Sequence, residues 1–279
     1  MNILSINSHV TYGHVGNSAA VFVLQCLEIE VWPIHTVMFS NHPGYGTFRG
    51  RATDAAHIRE IVEGLVEGGV LAGCDGVISG YLGTGANGAE VLAAVASVKA
   101  ANPAARYCCD PVIGDDGRVY VRPDVAEFIR ARALPTADVI TPNQFELDWL
   151  SGGSSVTALA AAIDALHAAG PSVVLVTSLA TAETPADAID LVASDAAGRF
   201  RLRTPKLPTE IHGAGDAIAA LFFAHWLRTR SAAEALWRAA SSVFGILRIS
   251  AGLGAREMLL VQTLDEIIAP RQVFKPEPM

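Results

Sequence analysis

The chain has 279 residues, 51% of them hydrophobic and 17% charged, with a formal net charge of −8 and only three lysines, Lys99, Lys206 and Lys275. So apolar a chain can offset its ordering entropy by burial, which excludes disorder, and an acidic balance without a basic stripe argues against nucleic acid as partner. The uncharged, mostly apolar stretch 165–182 is broken by Gly170-Pro171 and holds Ser and Thr, so no membrane span is expected.

Short apolar, β-rich runs alternate with Ala- and Leu-rich amphipathic runs. Residues 3–6 read as a strand, 16–27 as a helix with Ala19, Ala20, Phe22, Val23 and Leu27 on one face, and 31–39 as the next strand. Residues 54–66 are helical, with Ile58, Ile61, Val62 and Leu65 at helical spacing. Residues 76–81 read as a buried strand and 89–101 as a helix ending before Asn102-Pro103. A strand over 106–110 runs into Pro111, a short edge strand covers 118–121, and a helix covers 123–131. Residues 139–141 are a strand cut off by Pro142. A helix over 156–169 ends at Gly170, and 173–178 is a strand. Residues 189–194 and 200–203 form an antiparallel pair turning at Ala197-Gly198. Helices cover 216–228 and 232–249, and the tail from Lys275 is expected to fray. The alternation predicts an α/β fold, a mostly parallel central sheet flanked by helices on both faces, in one domain over residues 1–279.

The cysteines, Cys26, Cys74, Cys108 and Cys109, form no C-x-x-C pair and no disulfide framework. The first residues lack a basic region and a long apolar run, so no signal peptide is expected. A reduced, cytoplasmic protein is the expectation.

Six motifs could carry chemistry. Residues 83–88 match G-x-G-x-x-G between a predicted strand and a helix, with Asp110 downstream. That suggests a dinucleotide site, but 25 glycines make chance matches common and this is the third βα unit of the chain. A Gly-rich turn is the simpler reading. A P-loop is absent, since none of the three lysines follows a glycine. Any phosphate must then be held by backbone amides, hydroxyls and cations.

Gly213-Ala214-Gly215-Asp216 precedes the apolar run 217–226. Amides at a helix N-terminus favour an anion, and an acid beside it could take a proton from a hydroxyl. Ordinary helix capping is the alternative. Asn143 and Glu146, in Thr141-Pro142-Asn143-Gln144-Phe145-Glu146, share one face of a first helical turn. They could organise Mg²⁺ through waters or simply form a capping box. Cys109-Asp110-Pro111 and the Gly/Asp-rich run to Gly117 suit a cation site, a mobile lid or a solvated turn. Ser8-His9-Val10-Thr11-Tyr12-Gly13-His14 and Ser40-Asn41-His42-Pro43-Gly44-Tyr45-Gly46 mix hydroxyls, imidazoles and glycines, the composition of a polar small-molecule pocket.

Together these residues resemble the ribokinase superfamily, and within it the pyridoxal kinases. The resemblance runs in order along nearly the whole chain. It comprises S-H-V-T-Y-G-H-V-G-N-S-A-A over 8–20, S-N-H over 40–42, G-Y-L-G over 80–83, C-D-P-V-I-G-D over 109–115, T-P-N-Q-F-E over 141–146, V-T-S over 176–178 and G-A-G-D over 213–216. It implies a ribokinase-like fold and ATP-dependent phosphorylation of the 5′-hydroxymethyl group of pyridoxal. By that resemblance Asp216 is the general base, and Gly213, Ala214 and Gly215 form the anion hole. Ser8, His42 and Tyr81 line the pyridoxal pocket. Asp110, Asp115, Tyr120, Thr141, Asn143, Thr177 and Ser178 surround ATP, with Glu146 and Asp110 toward the metal. It also implies Mg²⁺, a monovalent cation such as K⁺, and a homodimer.

Three departures stand out. Position 214 is Ala where many relatives carry a hydroxyl residue, position 43 is Pro where relatives often place Thr, and the loop 114–121 has no cysteine. The alternatives are a hydroxymethylpyrimidine kinase, a catalytically silent vitamin-B6-binding protein on the same fold, and a dinucleotide oxidoreductase.

Overall fold

The computed structural model describes residues 1–152, 159–209 and 211–279. The strands are β1 (Asn2–Val10), β2 (Glu30–Phe39), β3 (Gly50–Ala52), β4 (Gly76–Ser79), β5 (Arg106–Cys109), β6 (Gly114–Asp115), β7 (Arg118–Val119), β8 (Val139–Ile140), β9 (Val173–Leu179), β10 (Ala188–Asp195), β11 (Gly198–Pro205) and β12 (Glu277–Pro278). The helices are α1 (Asn17–Cys26), α2 (Ala55–Glu67), α3 (Gly85–Ala101), α4 (Pro123–Phe128), α5 (Leu134–Thr136), α6 (Gln144–Ser151), α7 (Leu159–Ala169), α8 (Ala214–Thr229), α9 (Ala232–Gly252) and α10 (Leu264–Ile268).

Ten strands form one sheet in the order β12-β11-β10-β9-β8-β5-β4-β1-β2-β3. The middle run from β9 to β2 is parallel throughout, and the strands beyond it at both ends pair antiparallel. Short strands such as Gly76–Ser79, buried at every position, need covering on both faces. One core layer packs α1, α8 and α9 on the sheet through Leu24, Phe222, Phe223 and Leu236. The other packs α2, α3 and α7 through Ile58, Val62, Val95 and Leu166. Helix α8 is buried from Ala217 through Leu227 without a break. It is apolar all round because it lies between the sheet and its neighbouring helices.

Chain order reverses at β1, whose neighbours are β2 on one side and β4 on the other. The crevice beyond the carboxyl ends of such strands is where α/β proteins bind ligands. Ser8, Tyr81, Asp110, Thr141 and Thr177 all lie at or just past those ends.

Two expectations change, and one short helix is added. Residues 118–121 do not edge the main sheet; Arg118–Val119 pairs with Gly114–Asp115 as a separate hairpin. The tail does not fray, because Pro278 and Glu277 pair with Phe200 and Arg201. An edge strand tolerates Pro, since the missing N–H need not meet a neighbour. The short helix Gln144–Ser151 has too few residues to show a period, and the sequence shows only its capping signal. The start of the helix expected over 156–169 lies outside the described residues, and Leu159–Ala169 is helical.

Candidate active site

Helix α8 delivers the acid at its start. Gly213 caps it with φ 91°, a left-handed conformation that favours glycine. A Cβ at Gly213 would stand 1.9 Å from the His14 carbonyl oxygen, whereas one at Gly215 would meet nothing within 4 Å. The backbone is thus packed behind Gly213 and open in front of Gly215. Asp216 lies in the first turn, and Asn7 Nδ2 donates to its Oδ1 at 3.0 Å. Burial raises the Asp216 pKa, opposed by the Gly16 amide and by Asn7. The arrangement joins an anion-binding helix terminus to a carboxylate that accepts hydrogen bonds.

The second part comes from β5, β8 and α6. Asn143 caps α6 and Glu146 bonds back to it, a complete capping box. The same two side chains also reach the hairpin β6–β7. Glu146 Oε1 accepts from Ile113 N at 2.8 Å and Gly114 N at 3.4 Å, and Oε2 from Asn143 N at 3.0 Å. Asn143 Nδ2 donates to the Gly114 carbonyl at 2.8 Å. Capping and the anchoring of this hairpin are therefore one construction. The hairpin carries Asp115 and leads to Tyr120, which keeps half its surface exposed.

Asp110 is 9% exposed and accepts from Thr141 Oγ1 at 2.8 Å. Burial, then the charges of Glu146 and Asp216, push its carboxyl well above the ordinary range. Burial raises Glu146 to about 7 against its hydrogen bonds. Among the described residues no three His, Cys, Asp or Glu groups form a complete metal cage. Hard carboxylate and hydroxyl oxygens crowded into one acidic recess nonetheless fit Mg²⁺, which takes one or two carboxylates and leaves the rest to water and phosphate. With both its oxygens on backbone amides, Glu146 fits such an ion through water.

Thr177 N donates to the Pro142 carbonyl at 2.9 Å, which sets it beside Asn143. Ser178 is exposed with φ 55°, a left-handed conformation uncommon outside glycine. No hydrogen bond among the described residues joins it to the acidic group.

On the other side of Asp216, Ser8 and Tyr81 are held through Asn7 Oδ1, which accepts from Ser8 N at 2.7 Å and Tyr81 N at 2.9 Å. The His42 ring lies 4.1 Å from that of His212, and its Nδ1 accepts from Gly44 N at 3.1 Å. Pro43 opens the short turn that follows. Sequence reasoning missed Asn7, His212 and Glu257, and named Tyr45 only as part of the 40–46 segment. Asn7 is one of several polar residues in β1 and carries no local signal that sets it apart, and Glu257 has none, because its partners lie more than 200 residues away.

The G-x-G-x-x-G segment has another use. Thr84 caps α3 by accepting from Asn87 N, and Asp124 takes the Gly85 amide at 3.0 Å. A Cβ at Gly88 would stand 2.5 Å from the Phe128 ring. Its glycines serve packing, and two of its amides are already bonded to side chains.

Fold and site together define a ribokinase-like kinase. Residues 51–260 match the family model described as phosphomethylpyrimidine kinase. A pyridoxal kinase from Granulibacter bethesdensis is 50% identical, with 98% of each chain covered. One from Deinococcus radiodurans is 49% identical, covering 99% of this chain and 96% of that one. The solved pyridoxal kinase of Leishmania donovani in complex with ADP and pyridoxamine superposes with a TM-score of 0.90 at 32% identity, covering 100% and 99% of the two chains. The chain belongs to the phosphomethylpyrimidine kinase family and, within it, to the pyridoxal kinases. Among the described residues no helix is long and apolar enough to cross a membrane.

Proposed function

We propose that the protein transfers the γ-phosphoryl group of ATP to the 5′-hydroxymethyl oxygen of pyridoxal, giving pyridoxal 5′-phosphate for vitamin B6 salvage, with Asp216 as general base. The observation that carries this reading is Asp216 in the first turn of α8, directly behind the Gly213, Ala214 and Gly215 amides. Phosphoryl transfer needs in-line positioning and charge stabilisation more than covalent chemistry. Ser8, His42 and Tyr81 orient the pyridine ring so that its hydroxymethyl group faces Asp216. The hydroxyl attacks phosphorus, its proton passes to the Asp216 carboxylate, the bond to the bridging oxygen breaks, and ADP leaves. The α8 amides meet the charge on the transferring group. They are backbone donors, so Ala214 in place of a hydroxyl residue leaves the hole intact.

Asp110, Asp115, Tyr120, Thr141, Asn143, Thr177 and Ser178 line the nucleotide side, and the hairpin anchored by Glu146 and Asn143 closes over it to exclude water. Asp110 and Glu146 would hold Mg²⁺, which when bound neutralises phosphate charge. A monovalent cation such as K⁺ and a homodimer belong to the same proposal, as does a reducing, cytoplasmic setting. The four free thiols support the last.

The test is an ATP-consumption assay on pyridoxal. Asp216→Ala is expected to lower kcat by about 10³-fold, within the range for a lost general base, while pyridoxal still binds. Retained turnover overturns the assignment of the base. The name of the matching family makes hydroxymethylpyrimidine the second substrate to try.

A further inference from the structure

Asn7 lies in β1 with 4% of its surface exposed, and it uses both ends of its amide. Oδ1 accepts from two backbone N–H groups, Ser8 at 2.7 Å and Tyr81 at 2.9 Å. Those donors fix which end is oxygen, because a flipped amide would set its NH₂ against them. Nδ2 is thereby forced toward Asp216 Oδ1, at 3.0 Å. The residue has no room to turn away. Its main-chain carbonyl accepts from Asn17 Nδ2 at 3.3 Å, and that buried amide also bonds the Ile34 carbonyl at 3.0 Å. Gly80 leaves the space the side chain fills, since a Cβ there would stand 2.4 Å from Asn7 Nδ2. One side chain thus joins β1, the segment after β4 and the first turn of α8.

We propose that Asn7 is a positioning residue for phosphoryl transfer, holding the Asp216 carboxylate in register with the substrate floor formed by Ser8 and Tyr81. The proposal rests on the reading of Asp216 as the base. A locked donor favours the ionised carboxylate and fixes its rotamer relative to the segments that hold the substrate. The titratable groups facing Asp216 from other elements are Asp110 and Tyr120, with Glu146 behind them, and all three stay unaltered in the test.

The informative variant is Asn7→Asp. It keeps oxygens toward both N–H groups, removes the donor and sets a second carboxyl beside Asp216. Expected are a fall in kcat of about tenfold or more at neutral pH, a KM for pyridoxal within about threefold, and an acid limb of the kcat profile displaced to higher pH. Asn7→Ala removes the donor without adding charge, and is expected to displace the limb the same way should the first variant fold poorly. Profiles that superimpose on the parent overturn the proposal. So does a raised KM with kcat unchanged, which would mean that Asn7 only shapes the substrate floor. An Asp216→Asn control separates the two ideas. Turnover retained there overturns the base itself, whereas a dead control beside unaltered Asn7 variants overturns only the role of Asn7.

Discussion

The Tyr45 hydroxyl donates to Glu257 Oε1 at 2.5 Å, joining the loop after β2 to the segment after α9. The other oxygen, Oε2, accepts from His14 N at 3.0 Å, and the Arg256 guanidinium lies 4.5 Å from the Tyr45 ring centroid. One carboxylate with 8% exposure therefore ties together three loops, among them the one that carries His42. Its hydrogen bond is the main cause that pushes the Tyr45 phenol up to about 12, so the donor keeps its proton across any ordinary assay range. Tyr45→Phe leaves Glu257 short of a partner and loosens the loop that carries His42. The expected outcome is a KM for pyridoxal raised by about tenfold or less, with kcat changed by less than about twofold. The effect should not vary between pH 6 and 9. Steady-state kinetics at three pH values would check it. A loss confined to kcat would mean that the tie acts on the transition state instead.

Gly213 and Gly215 should respond in opposite ways to the same methyl group. At Gly213 the backbone is left-handed and the new Cβ meets a carbonyl oxygen at 1.9 Å. Gly213→Ala is expected to lower both Tm, by about 5 °C or more, and activity. Gly215 has helical neighbours and open space, so Gly215→Ala gains about 0.5–1 kcal/mol of helix propensity and keeps or raises Tm. Its kcat should still fall by about tenfold or more, because the methyl occupies the side from which a phosphoryl group meets the amides. Thermal melts beside kinetics would decide. A Gly215→Ala enzyme with full activity would remove the anion hole from this end of α8.

The alternation of strands and helices was legible because β4, β5 and β9 are short apolar runs and α2 carries a clean helical period. Helix α8 was legible despite being apolar all round, because the Gly213-Ala214-Gly215-Asp216 motif opens it. The site was legible as motifs at strand ends, since Asp110, Thr141 and Asp216 each follow a recognisable strand or turn. What sequence could not supply was pairing across distance. Glu146 reads equally as a cap or as a phosphate-side acid, and only the fold reveals that it is a cap whose oxygens also hold the β6–β7 hairpin. Asn7, His212 and Glu257 gain their meaning from partners on other loops, which no local period or spacing encodes.

The cysteines make a simpler prediction. Cys108 and Cys109 lie buried in β5, and burial pushes their thiols up, Cys109 to about 12. Cys74 is buried as well, with its thiol donating to the Gly76 carbonyl at 3.2 Å. Only Cys26 has partial access. Because the thiolate is the nucleophile, the native protein should take up no more than one maleimide at pH 7, at Cys26, and four after denaturation. Mass spectrometry would read the count. Rapid labelling of Cys109 would mean that β5 opens in the native state.

The acidic recess should destabilise the protein that uses it. A carboxyl whose folded pKa lies above its unfolded value binds its proton more tightly in the native state, so stability falls as pH rises through that window. For Glu146 the window runs from 4.5 to about 7. Asp110 is displaced in the same direction by burial and by Glu146 and Asp216. Asp110→Asn removes one charge and keeps an oxygen for the Thr141 hydroxyl. The variant is expected to exceed the parent in stability at pH 8 by about 1 kcal/mol or more, roughly 2–4 °C, with a smaller gap at pH 5. His225, held down to about 4 chiefly by burial, acts with the opposite sign below pH 6.5, but it is present in both proteins and cancels in the difference. Turnover should be lost, since stability gained at a site of crowded charge is lost as function. Adding Mg²⁺ with ADP should close the gap at pH 8, because a bound cation rewards only the parent carboxylate. Melting curves at both pH values, with and without Mg²⁺ and ADP, would check this. A variant less stable than the parent at pH 8 would mean that the hydrogen bonds around Asp110 outweigh the repulsion between the carboxylates.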